Sequence, residues 1–346
     1  MVANPSITKS QAEDDWRPLV EVTRGPIVES CHVGAAVVTD ASGEVHASWG
    51  NFEQPVYPRS AIKSLQALPI VETGAADALD IGSEELALAC ASHGGEPMHT
   101  ERVAAWLKHI RCTTDDLMCG PQWPTHEATT RAMIAAGEPA TALHNNCSGK
   151  HTGMLSTARH RGEPLTGYID ITHPTQQRVL GVLESMTGQE LGLAPRGIDG
   201  CSLPTIAVPL GSAAVAMARL ADPDDLPAPR IEAATRVKAA WSGHPELMSG
   251  SDRFDAALNR ALNGRAMVKI GAEGVFCACL DEMKLGLALK IADGASRAAE
   301  VAVAGILHKL GVLTDAEMAD LVAWTRPRLT NRAGLDVGEI RLAPSV

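Results

Sequence analysis

The chain has 346 residues, of which 30 are lysine or arginine and 41 are aspartate or glutamate, so its formal net charge at pH 7 is −11. This acidic balance excludes a general nucleic-acid binder, which needs a basic face, and disfavours anionic membrane surfaces. No apolar run is long enough to span a membrane, and the polar N-terminal segment lacks the apolar core of a secretory signal. We therefore expect a cytoplasmic protein whose eight cysteines are thiols or metal ligands rather than disulfides.

The beginning of the chain is predicted to form a flexible tail over residues 1–16, followed by one unit over residues 17–346. Valine, isoleucine and threonine then dominate segments that are separated by turn residues, which is typical of strands. The predicted strands are Leu19–Thr23, Ile27–Thr39 and Val45–Trp49.

From about residue 58 the apolar residues recur at helical spacing. Helices are predicted to open at Pro58-Arg59-Ser60, at Ser83-Glu84-Glu85 and at Thr100-Glu101, and to cover 127–136, 174–187, 211–221 and 229–240.

Towards the C-terminus the apolar spacing returns to two, which predicts three more strands before the final helices. The strands are Ala266–Ile270, Gly274–Leu280 and Lys284–Ile291, and the helices are Ala295–Lys309 and 315–324. A capping box, Thr314–Glu317, opens the last helix.

Strands at both ends of the chain, with helices between them, predict the α+β class rather than a parallel doubly wound sheet. We expect the N- and C-terminal strands to pair in one antiparallel sheet flanked by helices. This predicts a sheet subdomain of about 17–57 plus 262–346 and a helical middle subdomain of about 58–261. No glycine-rich phosphate loop follows a predicted strand, so nucleotide use is not indicated.

The first candidate for chemistry is Ser60-Ala61-Ile62-Lys63, at the start of a predicted helix. A serine and a lysine three positions apart share one helix face, so a neutral amine there could take the hydroxyl proton. The positive end of the helix dipole would stabilise an oxyanion. The same spacing also fits a helix cap beside a solvated lysine.

A second candidate is Cys90-Ala91-Ser92-His93-Gly94-Gly95-Glu96. A hydroxyl and an imidazole between a helix and two glycines are typical of a functional loop. They are equally typical of an ordinary helix end, where a glycine takes the left-handed conformation. Both interpretations stay open from the residues alone.

A third candidate combines the polar segment His144–His151 with Asp199-Gly200-Cys201. The first segment contains two histidines, Cys147 and Lys150 with almost no apolar content, which is hard to explain as core. Thiols beside nitrogen and oxygen donors indicate a zinc site. Because neither segment has the C-x-x-C spacing of a structural site, two buried thiols are the alternative.

The fourth candidate is Lys269-Ile270-Gly271-Ala272-Glu273-Gly274, between two predicted strands. A lysine near glycines can direct a cation at a bound anion. The tripeptide pattern alone carries no weight, because Lys-x-Gly recurs at Lys284 and Lys309.

Taken together and in this order, these motifs resemble the Rhizobium etli-type, or class 3, L-asparaginases, which share a fold with serine β-lactamases and glutaminases. The resemblance extends from about Leu19 to Leu342. It implies hydrolysis of L-asparagine to L-aspartate and ammonia, one zinc ion per chain and a homodimer.

The resemblance also implies residue roles. Ser60 would be the nucleophile with Lys63 as its base, and Ser92 and Lys269 would form a second serine–lysine pair. Cys147, Lys150 and Cys201 would bind zinc. The residues expected to bind substrate or support the site are Arg59, His93, Glu96, Asn146, His151, Asp199 and Glu273.

The implied chemistry needs a neutral lysine, although a free lysine titrates near about 10.4. Burial and a second ammonium at Lys269 would lower the pKa of Lys63, and zinc would assist rather than attack. The alternatives are a glutaminase, another serine amidohydrolase of this fold, or a zinc-dependent hydrolase in which Ser60 is incidental.

Overall fold

The computed structural model describes residues 16–346. The predicted flexible tail therefore lies outside the described residues, except for Trp16, which packs against the core. The strands are β1 (Arg17–Arg24), β2 (Ile27–Thr39), β3 (Val45–Trp49), β4 (Pro55–Val56), β5 (Arg196–Ile198), β6 (Pro204–Ile206), β7 (Val208–Pro209), β8 (Met267–Ile270), β9 (Val275–Leu280), β10 (Leu285–Ile291), β11 (Arg328–Thr330) and β12 (Asp336–Leu342).

Fourteen α-helical segments are described between and after these strands. They are α1 (Lys63–Glu72), α2 (Ala75–Ala78), α3 (Ser83–Cys90), α4 (Pro97–His109), α5 (Glu127–Ala136), α6 (Ser148–Arg161), α7 (Pro174–Thr187), α8 (Leu210–Ala221), α9 (Ala228–Gly243), α10 (Pro245–Met248), α11 (Phe254–Leu262), α12 (Ser296–Lys309), α13 (Asp315–Asp320) and α14 (Val322–Thr325). No described helix is both long and apolar enough to cross a membrane.

Eight strands form one antiparallel sheet in the order β11–β12–β1–β2–β10–β9–β8, with β3 also paired to β2. Strands from the two ends of the chain pair twice, β1 with β12 and β2 with β10. In the second pairing Ala35 is opposite Lys290 and Val38 is opposite Leu287. The expected pairing of N- and C-terminal strands in one antiparallel sheet is confirmed.

Alternation along β2 divides the core into two layers. Ala35 and Val37 belong to the core under the helical layer, whereas Ala36 and Val38 belong to the core under α12, because successive strand residues point to opposite faces. Helices therefore cover both faces of an antiparallel sheet, and the predicted α+β class is confirmed.

Several predicted helix boundaries are wrong. The helix expected to open at Thr100 begins at Pro97, because proline is preorganised for the first helical position and the His99 ring accepts the Glu96 N–H at 3.2 Å. The helix expected over 315–324 is divided into α13 and α14. The segment after Pro58 opens as a 3₁₀ turn, Arg59–Ile62, and becomes α-helical only at Lys63.

Candidate active site

The candidate nucleophile Ser60 lies in the 3₁₀ turn Arg59–Ile62, where the helical layer meets the sheet. This turn contacts β8 and β9. A glycine is required at position 271 for the close approach, because a Cβ there would lie 2.8 Å from the Pro58 carbonyl oxygen. The motif around Lys269 and the motif around Ser60 are therefore neighbours in space.

Arg59 connects this turn to Asp199. Its φ of 51° is in the left-handed region, which non-glycine residues seldom adopt, so the backbone before Ser60 is strained. Its guanidinium forms a short ion pair with the Asp199 carboxylate. Burial would raise the pKa of Asp199, but Lys150 and Arg59 together hold it below its usual value, so this carboxyl group is ionised at neutral pH.

Lys63 is a fully buried lysine at the start of α1. Its Nζ donates to the Ala91 carbonyl oxygen and to the Ser92 hydroxyl oxygen, the latter at 2.9 Å. Burial lowers the pKa of Lys63, and the positive charge of Lys150 lowers it further, against the opposing effect of Cys147. Lys63 is thus shifted towards the neutral amine that can accept a proton.

Lys269 is the second buried lysine and lies on β8, 1% exposed. Its Nζ donates to the Ile270 carbonyl oxygen at 2.9 Å and lies 3.9 Å from a carboxylate oxygen of Asp255. Burial lowers its pKa to about 7, with Asp255 opposing this effect and Lys63 adding to it. Within the described residues, the Ser92 hydroxyl is hydrogen-bonded to Lys63 and not to Lys269.

Backbone hydrogen bonds to two other segments hold the Ser92 loop in place. Its N–H donates to the Met248 carbonyl oxygen at 3.0 Å, and the next N–H, of His93, donates to the Asn146 carbonyl oxygen at 3.2 Å. The His93 ring accepts the Gly95 N–H at Nδ1, so its Nε2 donates to the Ser148 hydroxyl at 2.9 Å. Burial lowers the pKa of His93 well below its ordinary value, so His93 is a neutral scaffold residue.

Two glycines allow α6 to pack closely against α1, which carries Lys63, and against α3, which precedes Ser92. A Cβ at Gly149 would overlap the Leu88 carbonyl group of α3, and a Cβ at Gly153 would lie 2.6 Å from a methyl carbon of Ile70 on α1. This close packing brings the start of α6, with its cysteine and lysine, next to the two serine–lysine motifs.

The cysteine cluster consists of Cys147, Lys150, Asp199 and Cys201. The ligand atoms of its two cysteines and its aspartate all lie within 4.8 Å of one another. Lys150 donates to the Cys201 sulfur at 3.2 Å. The Asn146 side-chain oxygen accepts from the Cys147 thiol at 3.1 Å. All three residues predicted from the sequence as zinc ligands therefore lie together, with Asp199 as a fourth candidate donor.

The charges in this cluster depend on one another. A hydrogen bond from Cys147 lowers the pKa of Cys201, with support from the Lys150 ammonium, while the same contact raises the pKa of Cys147. Burial alone would lower the pKa of Lys150, but Cys147, Cys201 and Asp199 together raise it. These shifts favour the thiolate of Cys201, the carboxylate of Asp199 and the ammonium of Lys150.

His151 lies beside the cysteine cluster and contacts a buried tyrosine. Its Nδ1 is 2.7 Å from the Tyr168 hydroxyl, which accepts the Met118 N–H at 2.9 Å. Burial and then the charge of Lys150 lower the pKa of His151 to about 3. Its Nε2 is buried and has no hydrogen-bond partner among the described residues.

Two predicted supporting residues lie outside these clusters. Glu96 accepts two hydrogen bonds from Ser251, at 3.0 Å from its N–H and 2.7 Å from its hydroxyl, and so anchors the loop that follows α10. Glu273 lies exposed in the turn between β8 and β9, and its carbonyl oxygen accepts from Lys290. Neither contacts Lys63 or Lys269 in the described part of the chain.

The chain matches one family of known proteins over most of its length. The family model for L-asparaginase II matches residues 20–342. The chain belongs to the L-asparaginase II family. A search of the curated proteins finds no match. A solved β-lactamase from Mycobacterium bovis is 14% identical and has a TM-score of 0.39, with 80% of this chain and 94% of that chain covered.

Membership of the L-asparaginase II family supports amide hydrolysis as the activity. The residues Ser60, Lys63, Ser92 and Lys269 are called the serine–lysine cluster below. Serine is activated by a nearby base, and Lys63 is the buried amine one turn from Ser60. Peptide N–H groups at the start of the turn are the kind of donors that hold an oxyanion.

The cysteine cluster of this L-asparaginase II family member fits a metal ion by its donor chemistry. Two sulfur donors and a carboxylate suit zinc, with Zn–S distances of about 2.3 Å and Zn–O distances of about 2.0–2.2 Å. Lys150 would have to lose its proton to become a ligand. In the described structure it acts instead as a counter-ion to Cys201.

Sequence reasoning missed several residues that hold this site together. Ser148 fixes His93, Tyr168 fixes His151 and Asp255 faces Lys269. Tyr168 is one of only two tyrosines in the chain, and a tyrosine hydroxyl requires a partner when it is buried. The rarity of tyrosine is the one sequence signal that could have drawn attention to Tyr168. No sequence signal pointed to Asp255, whereas Ser148 lies within the polar segment His144–His151 but was given no role.

Proposed function

We propose that the chain is an L-asparaginase of the Rhizobium etli type that hydrolyses L-asparagine to L-aspartate and ammonia through a Ser60 acyl-enzyme. The observation that carries the proposal is the meeting of two fully buried lysines, Lys63 and Lys269, beside Ser60 and Ser92 in a chain of the L-asparaginase II family. Burying lysines is costly unless their charge is used or removed.

In the proposed first step the Ser60 oxygen attacks the side-chain amide carbon, and Lys63 takes the hydroxyl proton. The C–N bond then breaks, and the nitrogen leaves as ammonia after receiving a proton. Ser92, which is hydrogen-bonded to Lys63, is positioned to pass that proton. Water then attacks the aspartyl ester and releases L-aspartate, with Lys63 as base again.

The second lysine and the carboxylate have supporting roles in this proposal. Lys269 supplies positive charge close to Lys63, which favours the neutral form of Lys63. Asp199, held ionised by Lys150 and Arg59, can accept the α-ammonium group of the amino-acid substrate. Cys147, Lys150 and Cys201 would hold a zinc ion, which would supply Lewis acidity and polar anchoring next to the substrate.

The proposed enzyme acts as a cytoplasmic homodimer. This part rests on the resemblance and on the acidic, reduced-thiol composition, in which all eight cysteines are free. Sedimentation of the purified protein at two concentrations tests the dimer, and a single monomeric species would contradict it.

The direct test is ammonia release from L-asparagine, L-glutamine and D-asparagine, with and without a chelator, by the native protein and by Ser60→Ala. We expect L-asparagine to be the best substrate and Ser60→Ala to lose at least about a thousandfold in kcat. Preference for L-glutamine would identify a glutaminase. Full activity of Ser60→Ala, abolished by the chelator, would identify a zinc-dependent hydrolase, which the donor set of Cys147, Asp199 and Cys201 makes the second candidate.

A further inference from the structure

Asp255 is a buried carboxyl group with no role in the mechanism so far. It lies in the first turn of α11, is 2% exposed, and points a carboxylate oxygen at the Lys269 amine, 3.9 Å away. A buried carboxylate needs charge or hydrogen-bond partners. The partners of Asp255 therefore indicate the role of this carboxylate.

The second partner of Asp255 is Ser249. The Ser249 hydroxyl donates a short hydrogen bond to the other carboxylate oxygen, and Ser249 is itself 1% exposed. The preceding residue, Met248, accepts the backbone N–H of Ser92. A continuous set of contacts thus runs from Ser92 through Met248, Ser249 and Asp255 to Lys269.

The helix that carries Asp255 is fixed to the strand that carries Lys269. Asn259, one turn further along α11, donates to the Val268 carbonyl oxygen at 2.9 Å and accepts the Val268 N–H at 2.8 Å. The same side chain donates to the Asp255 carbonyl oxygen at 2.7 Å. Because both ends of the Asp255–Lys269 contact are held by the backbone, their separation is set by the fold.

Several charged or titratable groups face Lys269 from the elements around it. Lys63 faces it from α1, Cys90 from α3, Cys147 from the turn before α6, and Arg253 and Asp255 from the start of α11. Glu300, on α12, faces Arg253 and Asp255. Of the groups that act on Lys269, Asp255 is the one that most favours the ammonium form.

We propose that Asp255, oriented by Ser249, is a positioning residue that keeps the Lys269 ammonium charged and fixed relative to Ser92. It does not touch the reacting atoms. This proposal rests on the proposed function, because it gives Asp255 a purpose only if Lys269 supplies charge to the serine–lysine cluster.

The test compares Asp255→Asn and Ser249→Ala with Asp252→Asn, an exposed neighbour in the same loop that serves as the matched control. In ammonia-release assays on L-asparagine, Asp255→Asn is expected to lower kcat about tenfold with little change in KM. The limb of its kcat/KM profile that belongs to Lys269 should move to lower pH by about one unit, because a negative charge has been removed. Ser249→Ala should shift the same limb less, and Asp252→Asn not at all.

A second measurement does not depend on activity. In Asp255→Asn the folded-state pKa of Lys269 falls further below its unfolded value. The urea unfolding midpoint of the variant should then lie below that of the native protein. This difference should be larger at about pH 6 than at about pH 8.5, where Lys269 is neutral in the folded protein. Asp252→Asn should show no such pH dependence.

The outcomes separate the two proposals. An inactive native protein with the expected pH-dependent loss of urea midpoint would contradict the proposed function but retain the Asp255–Lys269 pair. The role of Asp255 would be overturned if the kcat/KM–pH profiles and urea midpoints of both variants superimposed on those of Asp252→Asn. If Asp255→Asn does not fold, Ser249→Ala carries the same comparison, because it keeps the carboxylate.

Discussion

The two buried clusters of the site shift the pKa of a lysine in opposite directions. In the serine–lysine cluster, Lys63 contacts a carbonyl oxygen and a hydroxyl, and burial lowers its pKa. In the cysteine cluster, Lys150 is equally buried, but Cys147, Cys201 and Asp199 raise its pKa. Burial alone therefore does not decide the charge of a lysine. The anions beside it do.

The two clusters share one wall, the start of α6. Cys147 precedes this helix, Lys150 lies in its first turn, and His93 is hydrogen-bonded to Ser148 at its first residue. Lys63, whose pKa is lowered by burial, and Lys150, whose pKa is raised by its neighbours, are thus both held against a single helix end. The variants below change one cluster or the contact between them.

The largest effect is expected from Lys63→Met, which removes the proposed base while keeping an unbranched apolar side chain of similar length. We expect kcat to fall about 10²–10⁴-fold, without loss of stability, because a buried amine is replaced by a side chain that needs no partner. Ammonia release and urea unfolding measure the two quantities. The exposed Lys108→Met is the control, and retained activity in Lys63→Met would contradict the assignment of the base.

A smaller effect is expected from Gly149→Ala, which acts on the contact between the clusters. The new Cβ would overlap the Leu88 carbonyl group, so α6 must move away from α3 at a cost of about 1–3 kcal/mol. Gly181→Ala on α7, where a Cβ meets nothing within 4 Å, should instead be neutral or stabilising. Equal unfolding midpoints for the two variants would show that α6 is not tightly packed.

Cys147→Ser tests whether the cysteine cluster assists binding rather than attack. We expect KM to rise about tenfold and kcat to be largely kept, with a similar change on metal removal. Metal analysis of the native and variant proteins accompanies the kinetics, with Cys31→Ser, an exposed thiol, as control. Activity lost as completely as in Ser60→Ala would contradict this division of roles.

The smallest effect is expected from Glu300→Gln. This variant tests whether burial and neighbouring charges shift the pKa of a carboxyl group as they shift the pKa of the two lysines. Burial raises the pKa of Glu300 to about 7, Asp255 adds to this rise and Arg253 opposes it. The folded chain then binds more protons than the unfolded chain, so this group lowers stability as pH rises from about 4.3 towards 7.

Glu300→Gln should therefore be more stable than the native protein by about 1 kcal/mol at pH 8 and equal to it at about pH 4. Urea unfolding at both pH values measures this difference, and Glu101→Gln, at an exposed position, should show none. A gain in stability at about pH 4 instead would reverse the sign and contradict the raised pKa.

Much of the fold followed from local patterns. The strand Ile27–Thr39 and the helices over 127–136 and 174–187 were predicted with the bounds that the structure has, because turn residues and caps mark their ends. The helix α6 was not predicted, since Ser148–Ala158 is buried all round and polar, which leaves no apolar stripe to recognise. The C-terminal strands β11 and β12 lack alternation strong enough to predict them.

The sequence by itself singled out the residues that are proposed to carry the chemistry, because Ser60, Lys63, Cys147, Lys150 and Cys201 stand in local polar motifs. Only the tertiary structure decided how their charges are set. The pairing of Ser92 with Lys63, the carboxylate of Asp255 facing Lys269 and the Cys201 sulfur beside Lys150 all join residues from different elements of the fold. Electrostatic effects depend on distance in space and on burial, and neither is written in the spacing of a motif.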